Sequence, residues 1–444
     1  MAGLSTKQLT IIRTLIDSAP DGVVGRLDRA LTSQPLDGKM GEVRDLVGAE
    51  VANRKARNFV FQPFIAMCPR VAPTDGRKYF PFKTIALLWT ALSAYAPEKC
   101  ALARASATAW TDEDEPSPLF DNLCADAAAG LRFAAGTCFA PVASMLEEFE
   151  PQGAEVFASY LDLAPLSRIA MRKMPDWLAR MTEDRAVTIK LTFRDSTAVA
   201  PDAAPRLLEV LAAQLSEPCE ILRVIAAMMD HPGDGYMAAS ELAFIGERMI
   251  RQIERQLDLL RAFDPWEGAG AGKKAAEAVA IAVSLITEFE RSVELSREGP
   301  WGHAILKDKR ELALCVEKVM GKADDALAAA MPLKMARFGK GRGQPRYDEP
   351  PVDRAQARAR GLMAFVSETR GSAPGGGFTS FRNKMLERLD DRIDHYVEDV
   401  LEDMRDAEHA DRERAAEFAG LATILVGLLR GDKAAQIVRR RSAV

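Results

Sequence analysis

Histidine is scarce in this chain, with four residues among 444. Imidazole chemistry therefore has few places to occur, and neither a His-Glu-x-x-His helix motif nor a Gly-x-Ser-x-Gly elbow is present. Six cysteines (Cys68, Cys100, Cys124, Cys138, Cys219, Cys315) are scattered, with no Cys-x-x-Cys spacing. Cysteines so placed are expected as buried thiols, not as disulfide staples or zinc ligands. Long apolar runs are also missing. The longest, 421–429, falls far short of the roughly 20 residues that span a bilayer, so no membrane span is expected. The opening residues lack a basic segment leading into an apolar core, and Ala2 follows Met1. Neither a signal peptide nor N-myristoylation is expected, and the chain reads as cytoplasmic. Basic charge is not in excess either: 59 Lys+Arg against 64 Asp+Glu give −5. That balance argues against a surface built throughout for nucleic acid.

What the chain has is helical periodicity in a globular composition, 48% hydrophobic and 28% charged. Leu207, Leu208, Val210, Leu211 and Leu215 lie between two prolines, and Ile250, Ile253, Leu257 and Leu260 continue the pattern. Pro and Gly interrupt such segments about every 15–25 residues, the spacing of successive helices. The pattern predicts a mainly α fold, a multi-helix bundle or irregular α-solenoid-like array with a long C-terminal helical arm. At most one short β element is expected, near 187–193, where Val187, Ile189, Leu191 and Phe193 alternate with polar residues. Composition divides the chain into an N-terminal helical unit (1–114), a central bundle or array (115–338), a basic Gly/Pro-rich linker (339–351) and a C-terminal helical hairpin or arm (352–444).

The C-terminal segment carries the strongest pattern. A helix opening at Thr379 or Ser380 meets no proline, and a run to Leu429 would be about 75 Å long, a length typical of a coiled coil or projecting arm. On its wheel Leu386, Leu389, Ile393, Val397, Val400 and Met404 form one apolar stripe. Further on, 418–429 is apolar around nearly the whole circumference, with Leu421, Leu425 and Leu428 as anchors. These nine residues are the expected interaction seam. The opposite pole holds Asp391, His395, Glu398, Glu402, Asp406 and His409. Carboxylates and imidazole at those spacings can hold a metal, but the face is the wet one, and Arg388, Arg392 and Arg405 stand ready to neutralise it. A solvated face is expected.

Four further segments bear on chemistry. The stretch 268–274 opens a helix with glycines and two lysines, but Glu267 stands where the first glycine of a phosphate loop belongs, and Lys274 replaces its hydroxyl residue. An interhelical loop is expected. Asp230, His231 and Asp234 sit around a Pro-Gly helix stop, and the imidazole there is expected to face a helix C-terminus. Asn58 to Phe64 is dense in aromatics and is expected in the core. Lys334, Arg337, Lys340, Arg342 and Arg346 occur with no acid among them, flanked by Phe338 and Tyr347. Such a stretch is a candidate anion-binding loop, able to follow a phosphate backbone.

No catalytic residue, metal ligand or cofactor is assigned from these patterns. The expectation is a non-catalytic cytoplasmic scaffold or adaptor, acting on protein partners or on itself as a homo-oligomer through its C-terminal arm. The alternatives are nucleic-acid or phosphate-ligand binding through 334–346, and a helical metalloenzyme without a recognisable motif.

Overall fold

The structure, a computed structural model, describes residues 4–33, 38–107, 117–229, 233–334, 343–406 and 409–442. It is mainly α-helical, with a single two-stranded ladder among the described residues. The chain divides into two compact units, Met1–Asp230 and His231–Val444, so the compositional breaks near 114 and at 339–351 fall within units.

In the first unit α1 (Thr6–Ser18), α2 (Asp21–Thr32) and α3 (Lys39–Val60) enclose a small cluster of Ile16, Val24, Leu31 and Val47. The main core lies beyond it. It gathers the end of α3 with α4 (Gln62–Ile65), α5 (Thr84–Tyr95), α6 (Pro97–Ala107), α7 (Pro118–Arg132), α8 (Ala140–Phe149) and α9 (Gly153–Leu161). Phe61 and Phe64 are fully buried, as the aromatic density of 58–64 predicts, and Phe80 meets Phe157 and Tyr160 edge-on at 4.6 and 5.5 Å. The unit continues through α10 (Ala164–Ala179), α11 (Glu183–Val199), α12 (Ala203–Gln214) and α13 (Ile221–Met228).

The strand expected near 187–193 is a helix instead. Thr182 caps α11 by accepting from the Arg185 N–H, and Glu183 and Asp184 lie in its positive first turn. Its buried residues are Ile189, Thr192, Phe193 and Ser196, a helical face set against α12 and α13. Val187 and Leu191, which alternation would have buried with them, are exposed. Packing on these helices and on α10 outweighs β propensity here.

The second unit runs through α14 (Asp234–Ala238), α15 (Ala243–Arg261), α16 (Ala269–Ser292), α17 (Pro300–Met320) and α18 (Ala323–Ala330). β1 (Leu333–Lys334) then pairs antiparallel with β2 (Gln344–Pro345). α19 (Asp353–Glu368) follows, with α20 (Ala373–Gly376), α21 (Thr379–Asp406), α22 (His409–Arg430) and α23 (Asp432–Ser442). α19 is the central helix. Gly361, Leu362, Met363, Ala364, Phe365 and Val366 are all buried, against α16, α18 and α22. The long C-terminal helix is interrupted, and its two parts fold back as a hairpin in which Arg430 bridges to Asp390 at 2.6 Å and Asp394 at 2.5 Å. No helix of the described residues is long and apolar enough to cross a membrane.

Glycine permits the close approach of α16 and α19. A Cβ on Gly272 of α16 would fall on the carbonyl oxygen of Gly361 in α19, and one on Gly361 would meet that of Pro265. Gly272→Ala is expected to lower unfolding stability by about 1–3 kcal/mol through overpacking. Gly270→Ala, where a Cβ meets open space, is expected to stay within about 1 kcal/mol of the parent. Equal effects in urea unfolding would contradict the crossing.

Candidate binding groove

Where α1 ends, the chain turns through Pro20 into α2, and the end of α1 lies against α3. Arg54 of α3 fills that corner. Its guanidinium donates to the carbonyls of Ile16 (2.8 Å) and Ala19 (2.7 Å), and to Asp21 (2.8 Å) and Glu50 (2.7 Å). One turn on, Arg57 bonds the other oxygen of Asp21 at 2.7 Å. Burial alone would raise the Asp21 carboxyl, but the Arg57 charge, the Asn58 amide and Arg54 together hold it below its ordinary value.

Beside this corner runs a groove. One cavity of about 490 Å³ is lined by Asp21, Arg57, Asn58, Ile65, Arg70, Phe82 and Lys83 among others. A second, of about 350 Å³, shares Asp21, Arg54, Asn58 and Ile65 and extends past Val51, Lys55, Phe59 and Gln62. Two cations sit over rings at its edges: Arg70 lies 4.8 Å from the Phe82 ring centre, and Lys55 lies 5.5 Å from that of Phe59. Phe82 is 50% exposed and Ile65 40%, so the lining offers apolar surface to solvent. Among the described residues no carboxylate pairs with Lys55, Arg70 or Lys83. The sequence gives a faint signal of this groove in the cations at 54, 55 and 57 beside an aromatic run. Arg70, Phe82 and Lys83 join them only through the turn at α4.

The segments expected to carry function lie elsewhere. Leu389, Ile393, Val397, Val400, Leu421 and Leu425 are buried within the second unit, while Leu386, Met404 and Leu428 are partly covered. The stripe is thus real, but α21 and α22 meet one another, and α22 also meets α19. Of the basic loop, Lys334 and Arg346 stand at the base of the two-stranded ladder, and Arg337, Lys340 and Arg342 lie outside the described residues. Lys334 pairs with Asp348 at 2.9 Å. Tyr347 anchors the ladder by donating to Asp403 at 2.7 Å, with its ring against Phe418. Near that base a cleft of about 450 Å³ holds Asp391, His395 and Asp399, with Arg388 and Arg392 clamping Asp324 at 2.7 and 2.9 Å. Among the described residues no three potential metal ligands converge.

Other candidates resolve into structural roles. Asp230 and His231 lie outside the described residues. Asp234 is buried, accepting from the backbone N–H groups of Trp301 and Gly302 at 2.9 Å each, so it caps α17 from a distance. The glycines of 268–274 open α16 after a 3-10 turn, Pro265–Glu267, and the element before that turn is the helix α15. Burial pushes the Cys68 and Cys124 thiols up to about 12, and no disulfide joins any of the six cysteines among the described residues. No protein-family model matches this chain, and neither the curated proteins nor the solved structures include a significant match.

One buried titratable group stands apart. Asp308 of α17 has a buried Oδ2 with no hydrogen-bond partner among the described residues. Burial, then the charge of Glu254, pushes its carboxyl up to about 6 from 3.8; Glu311 adds to the shift, and Lys307 and Arg261 oppose it. A carboxyl raised by folding contributes stability in full below its ordinary value and loses that contribution as pH rises through about 6. Asp308→Asn is therefore expected to raise the melting temperature at about pH 8 and to bring little gain at about pH 4. A gain of equal size at both ends would contradict this.

Proposed function

We propose that this protein is a non-catalytic helical interaction protein, an adaptor or scaffold, and that its docking surface is the groove of the N-terminal unit. The observation that carries the reading is the set Lys55, Arg70 and Lys83, without a carboxylate partner among the described residues, beside half-exposed Phe82 and Ile65. Arginine and aromatic side chains are the groups from which binding hot spots are built, and a cation already seated over a ring loses little freedom on docking. The C-terminal seam supports self-association less well, because its central residues are covered within their own unit. The basic loop is a weaker support for nucleic-acid binding, since its stem stands against α21, where Asp391, Asp399 and Asp403 would repel phosphate. Six cysteines with no disulfide among them support a reducing, cytoplasmic setting.

Panning a phage-displayed peptide library against the full chain tests this reading. Clones are expected whose binding weakens at least about tenfold in Arg70→Glu/Lys83→Glu. Both positions are exposed, so the double variant should melt within a few degrees of the parent. Val400→Asp, in contrast, is expected to lose about 3 kcal/mol or more of stability, because its charge would be buried without a partner. Recovery only of clones indifferent to the double substitution would contradict the reading.

A further inference from the structure

We infer that the groove accepts an acidic peptide segment of a partner protein, with carboxylates flanking an aliphatic or aromatic anchor. This rests on the docking reading above and specifies its partner. The charge is lopsided: Arg54, Lys55, Arg57, Arg70 and Lys83 line the two cavities against one acid, Asp21. That acid is bonded by Arg54 at 2.8 Å and Arg57 at 2.7 Å, and Glu50 also holds Arg54 at 2.7 Å, so the charges left to face an incoming chain are the cations Lys55, Arg70 and Lys83. A wholly apolar helix laid here would desolvate Arg70 and Lys83 with no counter-charge, which is unfavourable. A bare phosphate or sugar-phosphate backbone would satisfy the cations but leave the exposed faces of Ile65 and Phe82 in water. Carboxylates on either side of one apolar side chain meet both demands. Arg70 can take a carboxylate through two parallel N–H donors while its other face remains on the Phe82 ring, 4.8 Å away. Lys55, over Phe59 at 5.5 Å, offers a second charge along the adjoining cavity. The cavities of about 490 and 350 Å³ suit an extended segment seated side chain by side chain.

The probe is a short fluorescein-labelled peptide with Asp and Glu on both sides of a Leu-Phe pair, titrated into the full chain. Its controls carry Asn and Gln for the acids, or Ser for the Leu-Phe pair, and a labelled oligouridylate of similar length forms a further arm. The acidic peptide is expected to bind, to weaken as salt is raised, and to lose about tenfold or more with Arg70→Glu. Phe82→Ser should weaken the parent peptide but not the one without its anchor. Binding no tighter than that of the Asn/Gln peptide would overturn the inference, as would preference for oligouridylate. If library panning yields groove-dependent clones that are basic or uncharged, the docking reading stands and the acidic class falls. If neither library nor peptide finds the groove, both fall.

Discussion

Buried arginines seated on the carbonyl ends of helices recur in both units of this fold. A chain cut into so many helices has many end groups without intrahelical partners, and those that reach the core must be satisfied by side chains. Arg54 bonds the last carbonyls of α1. Arg168 reaches from α10 to the end of α3, where it bonds the Phe59 carbonyl at 2.8 Å and that of Val60, with Asp121 as its counter-charge at 2.9 Å. Arg382 does the same for α19, bonding the Val366 carbonyl at 2.9 Å. Asp234 is the mirror case at the N-terminus of α17. Each charge also opposes the helix dipole at the end it occupies.

This arrangement sorts the charged residues. The buried arginines Arg54, Arg168 and Arg382 are committed to helix ends, and so is Asp234, which a reading of its neighbourhood in sequence sets beside a candidate histidine. The cations left for a ligand lie at the surface, where α3 and the turn at α4 bring Lys55, Arg70 and Lys83 beside exposed aromatic and aliphatic surface.

The helical class was legible because the apolar spacing is strong and breakers are regular. So was the buried stripe of α21. What periodicity cannot report is what covers a stripe, and here α22 covers it, folded back with α19 beneath. The alternation at 187–193 misled for a related reason: Ile189 and Phe193 belong to a strand face and a helix face alike, and Thr192 and Ser196 complete the helical one. The groove was nearly invisible, since its residues come from 21 to 83 along the chain and meet only after α1, α2 and α3 have packed. Its one local trace is the cation cluster at 54–57. Long-range caps leave less still, for an arginine bound to a carbonyl more than 100 positions away carries no mark of that role.

The measurement closest to the central claim is amide hydrogen exchange, read by mass spectrometry, on full-length Arg168→Met. If the buried guanidinium holds the end of α3 against α7 and α10, its loss leaves Asp121 and two carbonyls unanswered. Protection in peptides from those helices should then fall by about a hundredfold or more, the equivalent of roughly 3 kcal/mol. Peptides from α19, capped by Arg382, serve as the reference and should be unchanged. Protection of α3, α7 and α10 within about threefold of the parent would contradict the account.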